Sequence, residues 1–452
     1  MNVPRITIVG AGSHFTMGLF GDFLRIGDMQ ESELVLMDID EKKLRIMERI
    51  LKRFTEKESI GVKIVATVNL NEALNDTDFV ITTIRHGGLE ALKTVITIPL
   101  QFGAVQVVGD TAGPSGVLKG MLEIPALLYI AQNVKDIAPK AVIMNFTNPM
   151  TPACMAIRKS TRTSIIGLCH GYHNICDLAS KLLGYSIGKI RIEGAGINHL
   201  TWTTNITYDG ESIYEEFLKS LFIRGKEEVL REHPYLVGRE LYKVFGIPPT
   251  LSDRHTSEFF HYLYDWIKNP IYGPILMESS GYIDYDKKTL RKEVVKREEE
   301  EKQRMIRMAE GEERITIHPS GEYAIDIASA IIHKKRTEVM ALNIENRGAI
   351  TGINPDHIVE VPAVIDGNSI TPKGKFKLPE TVVNILNAHL EKFKVMIDGI
   401  IEKDRNLLMR AIALDPLTPS PDKAEKILNH FIEDSIIRKY LSTYNFDLSG
   451  SI

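Results

Sequence analysis

Two short segments of the chain place cysteine and histidine in patterns typical of metal ligands. The sequence G-L-C-H spans Gly167–His170, and G-I-N-H-L-T-W spans Gly196–Trp202. A thiolate at Cys169 and an imidazole at His199 could bind one divalent cation and leave positions open for water and substrate oxygens, as catalytic metal sites require. The softness of these ligands favours zinc or another late transition metal. The alternative is structural: a buried free cysteine and a hydrogen-bonded core histidine.

A glycine-rich turn near the N-terminus has the pattern of a dinucleotide-binding loop. The segment I-V-G-A-G-S covers Ile8–Ser13, and its two glycines permit a tight turn and a close approach of the backbone to a pyrophosphate. The third glycine of the pattern is missing, because Phe15 stands in its place. Asp38 ends the next predicted strand, where a carboxylate would bind ribose hydroxyls and repel a 2′-phosphate, which favours NAD over NADP. The predicted cofactor-binding residues of the turn are Gly10, Ala11, Gly12 and Ser13. A glycine-rich turn without a ligand is the alternative.

Two further segments carry clustered polar residues. The sequence S-D-R-H-T-S-E-F-F puts Asp253, Arg254, His255 and Glu258 within two helical turns, next to aromatic residues. Such polar density predicts a pocket wall, with a surface loop as the alternative. The Asn148–Pro149 pair follows a predicted strand and is similar to the Asn-Pro turn of lactate and malate dehydrogenases, where the backbone approaches the nicotinamide.

The first half of the chain alternates predicted strands and helices, and these elements must position the candidate residues. Amphipathic stretches predict helices such as Glu41–Phe54, capped by Asp40, and Val117–Ile137. The pattern predicts an α/β fold with a Rossmann-like, doubly wound, mostly parallel sheet. Most candidate residues follow strand ends, and in such a sheet that edge binds ligands. The predicted strands are Arg5–Gly10, Glu33–Asp38, Asp78–Thr83, Ala141–Asn145 and Ser164–Leu168.

Beyond about Gly194 the pattern becomes mixed α+β. We therefore expect two domains, a dinucleotide-binding Rossmann-like domain in residues 1–193 and a mixed α+β domain for substrate, metal and oligomer contacts in residues 194–452. The segment Asp286–Glu313 is heavily charged and has few apolar positions, which is typical of a solvated helix or a mobile excursion.

Composition excludes several classes of partner. The net charge of -4 gives no reason to expect nucleic acid or an acidic membrane. No apolar run approaches the ~20 residues that span a bilayer, and the N-terminus enters a predicted strand without a signal peptide. Three cysteines, Cys154, Cys169 and Cys176, cannot form a disulfide framework and fit a reducing compartment. We expect a cytoplasmic protein with no nucleic-acid partner and no membrane partner.

Taken together, these motifs resemble glycoside hydrolase family four, the NAD- and manganese-dependent glycosidases. The resemblance covers essentially the whole chain and includes V-G-D-T-A-G-P-S-G, N-F-T-N-P-M and P-S-G-E-Y-A-I-D-I. It implies manganese where ligand softness indicates zinc, with Cys169 and His199 as the metal ligands. Asn148 matches the residue that bridges cofactor and sugar, His170 matches the acid, and Asp253 matches the proton-abstracting base. The candidate substrate-binding residues are Asn148, Arg254, Asn198 and Arg85.

The chemistry that the resemblance implies differs from hydrolysis by two carboxylates. NAD takes hydride from carbon 3 of the sugar, and the metal polarises the resulting ketone. The ketone acidifies the carbon-2 proton, which Asp253 can remove. The glycosidic oxygen leaves with help from an acid such as His170, water adds, and NADH returns the hydride.

The substrate expected from the resemblance is an α-galacturonide. The V-G-D-T-A-G-P-S-G and S-D-R-H segments are most similar to the α-galacturonidase branch, with α-glucuronidase, α-galactosidase and α-glucosidase as alternatives. Arg254 is a candidate for binding the uronate carboxylate, because a guanidinium can do so bidentately, although it could equally make a structural ion pair. Two alternatives come from other classes, an NAD-dependent 2-hydroxy-acid dehydrogenase and an NAD-binding sensor or scaffold. The resemblance also implies a homodimer or homotetramer.

Overall fold

The structure, a computed structural model, describes residues 3–223, 225–279, 283–367 and 369–446. In these residues the strands are β1 Arg5–Val9, β2 Glu33–Met37, β3 Lys63–Thr67, β4 Phe79–Thr82, β5 Val142–Asn145, β6 Ile165–Gly167, β7 Ile190–Ile197, β8 Leu200–Tyr208, β9 Glu211–Ser212, β10 Ile283–Asp284, β11 Thr289–Leu290, β12 Thr337–Glu345, β13 Ile358–Asp366 and β14 Ser369–Pro372.

Helices connect the strands and form most of the second half of the chain. They are α1 Phe15–Ile26, α2 Glu41–Glu58, α3 Leu70–Leu74, α4 Gly88–Gln101, α5 Gly113–Ile137, α6 Met150–Thr161, α7 Tyr172–Leu183, α8 Tyr214–Ser220, α9 Glu227–Glu232, α10 Leu236–Phe245, α11 Asp253–Thr256, α12 Leu263–Lys268, α13 Gly273–Ser279, α14 Lys292–Glu310, α15 Ala324–Ile332, α16 Glu380–Glu402, α17 Arg405–Ala413, α18 Pro421–Glu433 and α19 Ser435–Ser442. Short 3-10 helices cover Ile187–Lys189 and Ser257–Phe259. None of the described helices is both long and apolar enough to cross a bilayer.

One mixed sheet carries strands from both halves of the chain. Its first six strands pair in parallel in the order β3-β2-β1-β4-β5-β6. This confirms the predicted doubly wound, Rossmann-like sheet. The antiparallel pair β12–β13 lies between β6 and β7, and β8 and β9 complete the sheet. The predicted domain boundary between residues 193 and 194 falls within β7, where the register with β8 shifts. The later strands therefore extend the first sheet.

The five predicted strands are all present, each within one residue of the predicted ends. Helix α2 begins as predicted, because the Asp40 side chain accepts hydrogen bonds of 3.1 Å from the amides of Lys42 and Lys43. The sequence analysis missed β3. This strand lies at the edge of the sheet, and only one of its five side chains is buried, so its hydrophobic signal is weak.

The charged segment forms a packed helix over most of its length. Helix α14 contacts α2 and buries Val294, Met305, Met308 and Ala309. Its acidic face reaches the loop after β4, where Glu298 forms an ion pair with Arg85. The expectation of a solvated helix is therefore met on one face alone, and the other face belongs to the core.

A buried ion pair joins the C-terminal helices to the first half of the chain. Lys392 on α16 donates to Asp415 at 2.5 Å, and their side chains are 2% and 0% exposed. The same carboxylate accepts the amide of Gly113 at 3.0 Å and that of Leu417 at 2.9 Å. Because Gly113 begins α5, this carboxylate fixes the loop that precedes α5 against the C-terminal helices.

We expect Asp415→Ala to lower the free energy of unfolding by about 3–5 kcal/mol, because it leaves the Lys392 ammonium buried without its partner. Denaturant unfolding followed by circular dichroism measures this loss. Asp422→Ala is the matched control, since Asp422 pairs with Lys426 on the exposed surface of α18 and surface pairs stabilise little. Equal losses for the two variants would contradict the assignment of Asp415 as an anchor.

Candidate active site

A large cavity opens at the carboxyl ends of the parallel strands. Its volume is about 1350 Å³, larger than the roughly 300–1,000 Å³ typical of small-molecule sites, and such a space suits an extended ligand. The glycine-rich turn, Asp38 and the loop after β4 form one side of it, and residues of α14 and α19 form the other. Ligands of open α/β sheets bind at this edge. The lining residues that the argument uses are Gly10, Gly12, Ser13, Asp38, Arg85 and Glu298.

The turn between β1 and α1 has the geometry that its glycines predict. Gly10 has φ 93°, a left-handed conformation, and a Cβ there would lie 2.8 Å from the carbonyl oxygen of Thr83. The amides of Gly10 and Ala11 donate to the carbonyl of Met37 at 2.9 and 3.0 Å. The Asp38 carboxylate accepts the amide of Gly12 at 2.8 Å. The turn and the predicted ribose-binding carboxylate therefore form one unit.

Arg85 lies on the wall of this cavity, next to the turn. Its guanidinium pairs with Glu298 of α14. It thus stands beside the dinucleotide-type turn, whereas the sequence analysis placed it among the substrate contacts.

A cluster of possible metal ligands lies near the ends of β5 and β6. Among the residues that the structure describes, Asp110, His199 and His255 each offer one ligand atom, and these atoms lie within 4.8 Å of one another. The rings of His199 and His255 are 4.2 Å apart between centroids. Nδ1 of His255 is buried without a partner in the described part of the chain, so it can accept a ligand. Carboxylate and imidazole together suit a divalent transition metal.

Two residues predicted from the sequence contact this cluster. The Cys169 thiol is hydrogen-bonded to His199, as the prediction of a shared site requires. Asn148 donates from Nδ2 to Asp110 at 3.1 Å, and its buried Oδ1 lacks a partner among the described residues. The structure thus brings Asn148, Cys169 and His199 together around Asp110.

Opposite charges hold the cluster in an ionised state. Burial opposes ionisation of Asp110, but the neighbouring His199 outweighs it and keeps the pKa of that carboxyl well below its usual range. Burial likewise opposes protonation of His199, yet Asp110 and Cys169 raise its pKa to about 10. Burial and the positive charge of His199 lower the pKa of His255 well below its usual value. The enclosed carboxylate of Asp110 and the imidazole of His255 thus each offer a ligand atom within 4.8 Å of the other.

His170 stands at the rim of the site. Its side chain is 67% exposed, and Nδ1 bonds to the buried carboxylate of Glu322 at 2.7 Å. This hydrogen bond raises the pKa of His170. Arg254 lies close enough for its charge to act on both His170 and His255. A guanidinium and an imidazole of raised pKa thus lie near the cluster.

Asp253 and Asn198 are both buried and hydrogen-bonded to other parts of the chain. Asp253 is 1% exposed, and its two carboxylate oxygens accept the amides of Val237 at 3.0 Å and Gly238 at 2.9 Å at the start of α10. These two hydrogen bonds make Asp253 a cap of α10, and its role as the proton-abstracting base stays a prediction. Asn198 is 0% exposed and donates from Nδ2 to Glu360 at 2.7 Å, whereas its buried Oδ1 lacks a partner among the described residues.

The sequence analysis assigned no role to Asp110 and Glu322, and it placed His255 and Glu258 in a predicted pocket wall without a specific function. Glu258 is buried, and its carboxylate accepts the amides of Val107 at 2.6 Å, Val108 at 2.7 Å and Gly109 at 3.0 Å. It thereby shapes the loop that presents Asp110. A signal was present for Asp110, since the quoted segment V-G-D-T-A-G-P-S-G contains it in a loop rich in glycine. No local pattern links Glu258 to a loop that lies about 150 residues earlier.

Comparisons with known proteins agree with this geometry. An alpha-galactosidase of Rhizobium meliloti (strain 1021) is 30% identical over 432 residues, which cover 91% of this chain and 84% of the relative. An alpha-galacturonidase of Thermoanaerobacter italicus (strain DSM 9252 / Ab9) is 28% identical over 459 residues, which cover 97% of each chain.

The fold is shared with solved structures. A 6-phospho-alpha-glucosidase from gut microorganisms, solved in complex with NAD and Mn²⁺, superposes with a TM-score of 0.78 at 21% identity and covers 96% of this chain and 99% of its own. The model of the family 4 glycosyl hydrolases matches residues 5–185, and the model of the C-terminal domain of the same family matches residues 194–418. Because these two matches span most of the chain, the protein belongs to the family 4 glycosyl hydrolases.

Proposed function

We propose that this protein is an α-glycosidase that uses NAD and Mn²⁺ and acts on α-galacturonides. The observation that carries the proposal is the position of the Asp110, His199 and His255 cluster beside Cys169, at the sheet edge that also holds the dinucleotide-type turn. A dehydrogenase of 2-hydroxy acids would need no such metal-ligand cluster. An NAD-binding sensor would need no exposed acid, such as His170, beside the cluster.

The residues present fit both cofactors. Asp110, His199 and Cys169 would hold the cation, and the unpartnered Nδ1 of His255 is available as a further ligand. The glycine turn with Asp38 would hold the dinucleotide, since both line the large cavity at the carboxyl ends of the strands. When bound, these groups supply hydride transfer and polarisation of a sugar oxygen.

The side chains of the open face would bind the sugar and move protons. His170 is held by Glu322 through Nδ1, so Nε2 is left to protonate the leaving oxygen. Asn148 lies between the cation cluster and the end of β5. Its Oδ1, which has no partner among the described residues, could accept a hydrogen bond from a sugar hydroxyl. Asp253 caps α10 and thereby fixes the short helix that carries Arg254 and His255.

Arg254 supports the choice of a uronide. Its guanidinium stands near His170 and His255, and a carboxylate on carbon 5 of the sugar would find there a bidentate partner. The relatives named above include both an alpha-galacturonidase and an alpha-galactosidase. An α-galactoside is therefore the second candidate substrate, and it presents a hydroxymethyl group in place of the carboxylate.

Cys169→Ser should weaken Mn²⁺ binding strongly and leave NAD affinity nearly unchanged, because the thiol contacts His199 and the dinucleotide turn lies on another strand. Electron paramagnetic resonance of free Mn²⁺ and fluorescence titration with NAD measure the two affinities. Cys154→Ser is the matched control, since Cys154 is fully buried in α6. Wild-type Mn²⁺ affinity in Cys169→Ser would show that the cation binds elsewhere.

Hydrolysis of a nitrophenyl α-galacturonide in heavy water should give a product with deuterium at carbon 2 and protium at carbon 3. The resemblance implies that the carbon-2 proton is lost to solvent before water adds, whereas hydride remains on the cofactor. Nuclear magnetic resonance of the product measures both positions. A product with protium at carbon 2 would indicate direct displacement at the anomeric carbon and would remove the redox mechanism.

Arg254→Gln should lower kcat/KM on the α-galacturonide by about 10- to 100-fold, because a charge-assisted bond to a carboxylate contributes roughly 1.5–3 kcal/mol. Activity on the α-galactoside should change much less. Arg239→Gln, a substitution within α10, serves as the control for general effects of removing a guanidinium. Equal losses on the two substrates would leave Arg254 with a structural role and favour the α-galactoside.

A further inference from the structure

Four polar side chains beneath the cation cluster form one buried network. Thr151, Asn198, Asn343 and Glu360 are each 0% exposed. Oε2 of Glu360 accepts hydrogen bonds from Nδ2 of Asn198 at 2.7 Å and from Nδ2 of Asn343 at 2.8 Å. Oγ1 of Thr151 accepts the amide of Asn198 at 3.1 Å and donates to Oδ1 of Asn343 at 3.4 Å. Each of the four residues is thus bonded to at least one other.

Two members of the network adjoin residues of the site. Asn198 directly precedes His199, and Thr151 follows Asn148 by three positions, at the start of α6. His199 has φ 69°, a left-handed conformation that is uncommon for a residue with a side chain. Such a conformation persists where its surroundings hold it, and Asn198 is held on both its amide and its side chain.

The other two members lie on the inserted strands. Asn343 of β12 pairs with Gly167 of β6, two residues before Cys169. Glu360 of β13 pairs with Asn343 on one side and with Gly196 of β7 on the other. A row of paired residues therefore crosses the sheet from β6, which precedes Cys169, to β7, which precedes His199. Glu360 lies within this row.

Stability alone does not explain why the Glu360 carboxyl group is buried in this position. It is fully removed from water, its Oε1 has no partner in the described residues, and burial raises its pKa. A buried ionisable group in a core is often no more stabilising than an apolar residue of similar volume. Groups that orient metal ligands through hydrogen bonds are, in contrast, a recurring feature of metal sites.

We propose that Glu360 is a positioning residue for the cation site: by holding Asn198 and Asn343 on one oxygen, it fixes the His199 turn against the strand that carries Cys169. This inference rests on the proposed function, in which Cys169 and His199 bind the cation. Glu360 acts through Asn198 and Asn343, and its contacts described here include neither His199 nor Cys169.

Mn²⁺ affinity of the full-length protein tests the inference without any assay of activity. Glu360→Ala removes both hydrogen bonds and should weaken Mn²⁺ binding by about 10- to 100-fold, the loss typical when a residue that orients metal ligands is removed. Glu360→Gln should bind Mn²⁺ nearly as the wild type does, because its amide oxygen can accept both bonds. Electron paramagnetic resonance measures the free ion, and NAD titration should give similar values for all variants.

Glu345→Ala is the matched control, since Glu345 is the last residue of β12 and pairs with Arg158 rather than with the network. It should keep wild-type Mn²⁺ affinity. A folded Glu360→Ala with wild-type Mn²⁺ affinity, or an equal loss of NAD and Mn²⁺ affinity, would overturn the inference. If Glu360→Ala does not fold, Asn343→Ala decides, because it removes one of the two donors. Weaker Mn²⁺ binding then supports the inference, and unchanged binding overturns it.

The two proposals fail in different ways. A wild-type protein that binds no Mn²⁺ would overturn the proposed cation site and this inference with it. Tight binding by the wild type and equally tight binding by Glu360→Ala would overturn the positioning role alone.

Discussion

The active site depends on the antiparallel pairing that places β12 and β13 between β6 and β7. Without these two strands, the parallel sheet would end at β6 and the segment before Cys169 would have no neighbour on its open side. Backbone pairing sets the register of the row Gly167, Asn343, Glu360 and Gly196. A slip of one residue in a sheet turns every side chain to the other face, so this register decides which residues meet beneath the site.

The same arrangement explains how several charges can be enclosed together. Removing Asp110 from water is unfavourable, but His199 is close enough to stabilise its ionised form, and this attraction is strong where water is excluded. Glu258 offsets part of its own burial by accepting three successive backbone amides of the loop that carries Asp110. The Asp110 carboxylate of the cluster is thus held in place by a loop that the Glu258 carboxylate shapes.

The second half of the chain also completes the dinucleotide-type cavity. The turn and Asp38 form one wall, and the charged face of α14 together with α19 forms the other. Glu298 and Arg85 join these walls through an ion pair. The long charged segment therefore has a packed face that supports the fold and a polar face that borders the cavity. Its amphipathic character is a consequence of lying between the core and a solvated ligand site.

Local sequence patterns determined the parallel sheet, the glycine turn and the cap of α2. Each depends on residues close together in the chain. The strands follow from short apolar runs, the turn follows from two glycines, and the cap of α2 follows from a carboxylate two positions before the amide that it accepts. Family-specific motifs added Cys169, His199 and Asn148, which the folded chain brings around Asp110. The edge strand β3 was missed because its apolar run is short, with three apolar residues, of which one is buried.

The tertiary structure decided what the remaining side chains do. The resemblance implies that Asp253 is the base, and the folded chain shows in addition that its carboxylate accepts the amides at the start of α10. Glu258 meets the loop that carries Asp110 across about 150 positions. Asn343 and Glu360 reach Asn198 through strand pairing that no local pattern specifies. Sequence periodicity reports which elements form, because it depends on neighbours along the chain. Which side chains share a site depends on long-range pairing and packing, which exist in the folded chain alone.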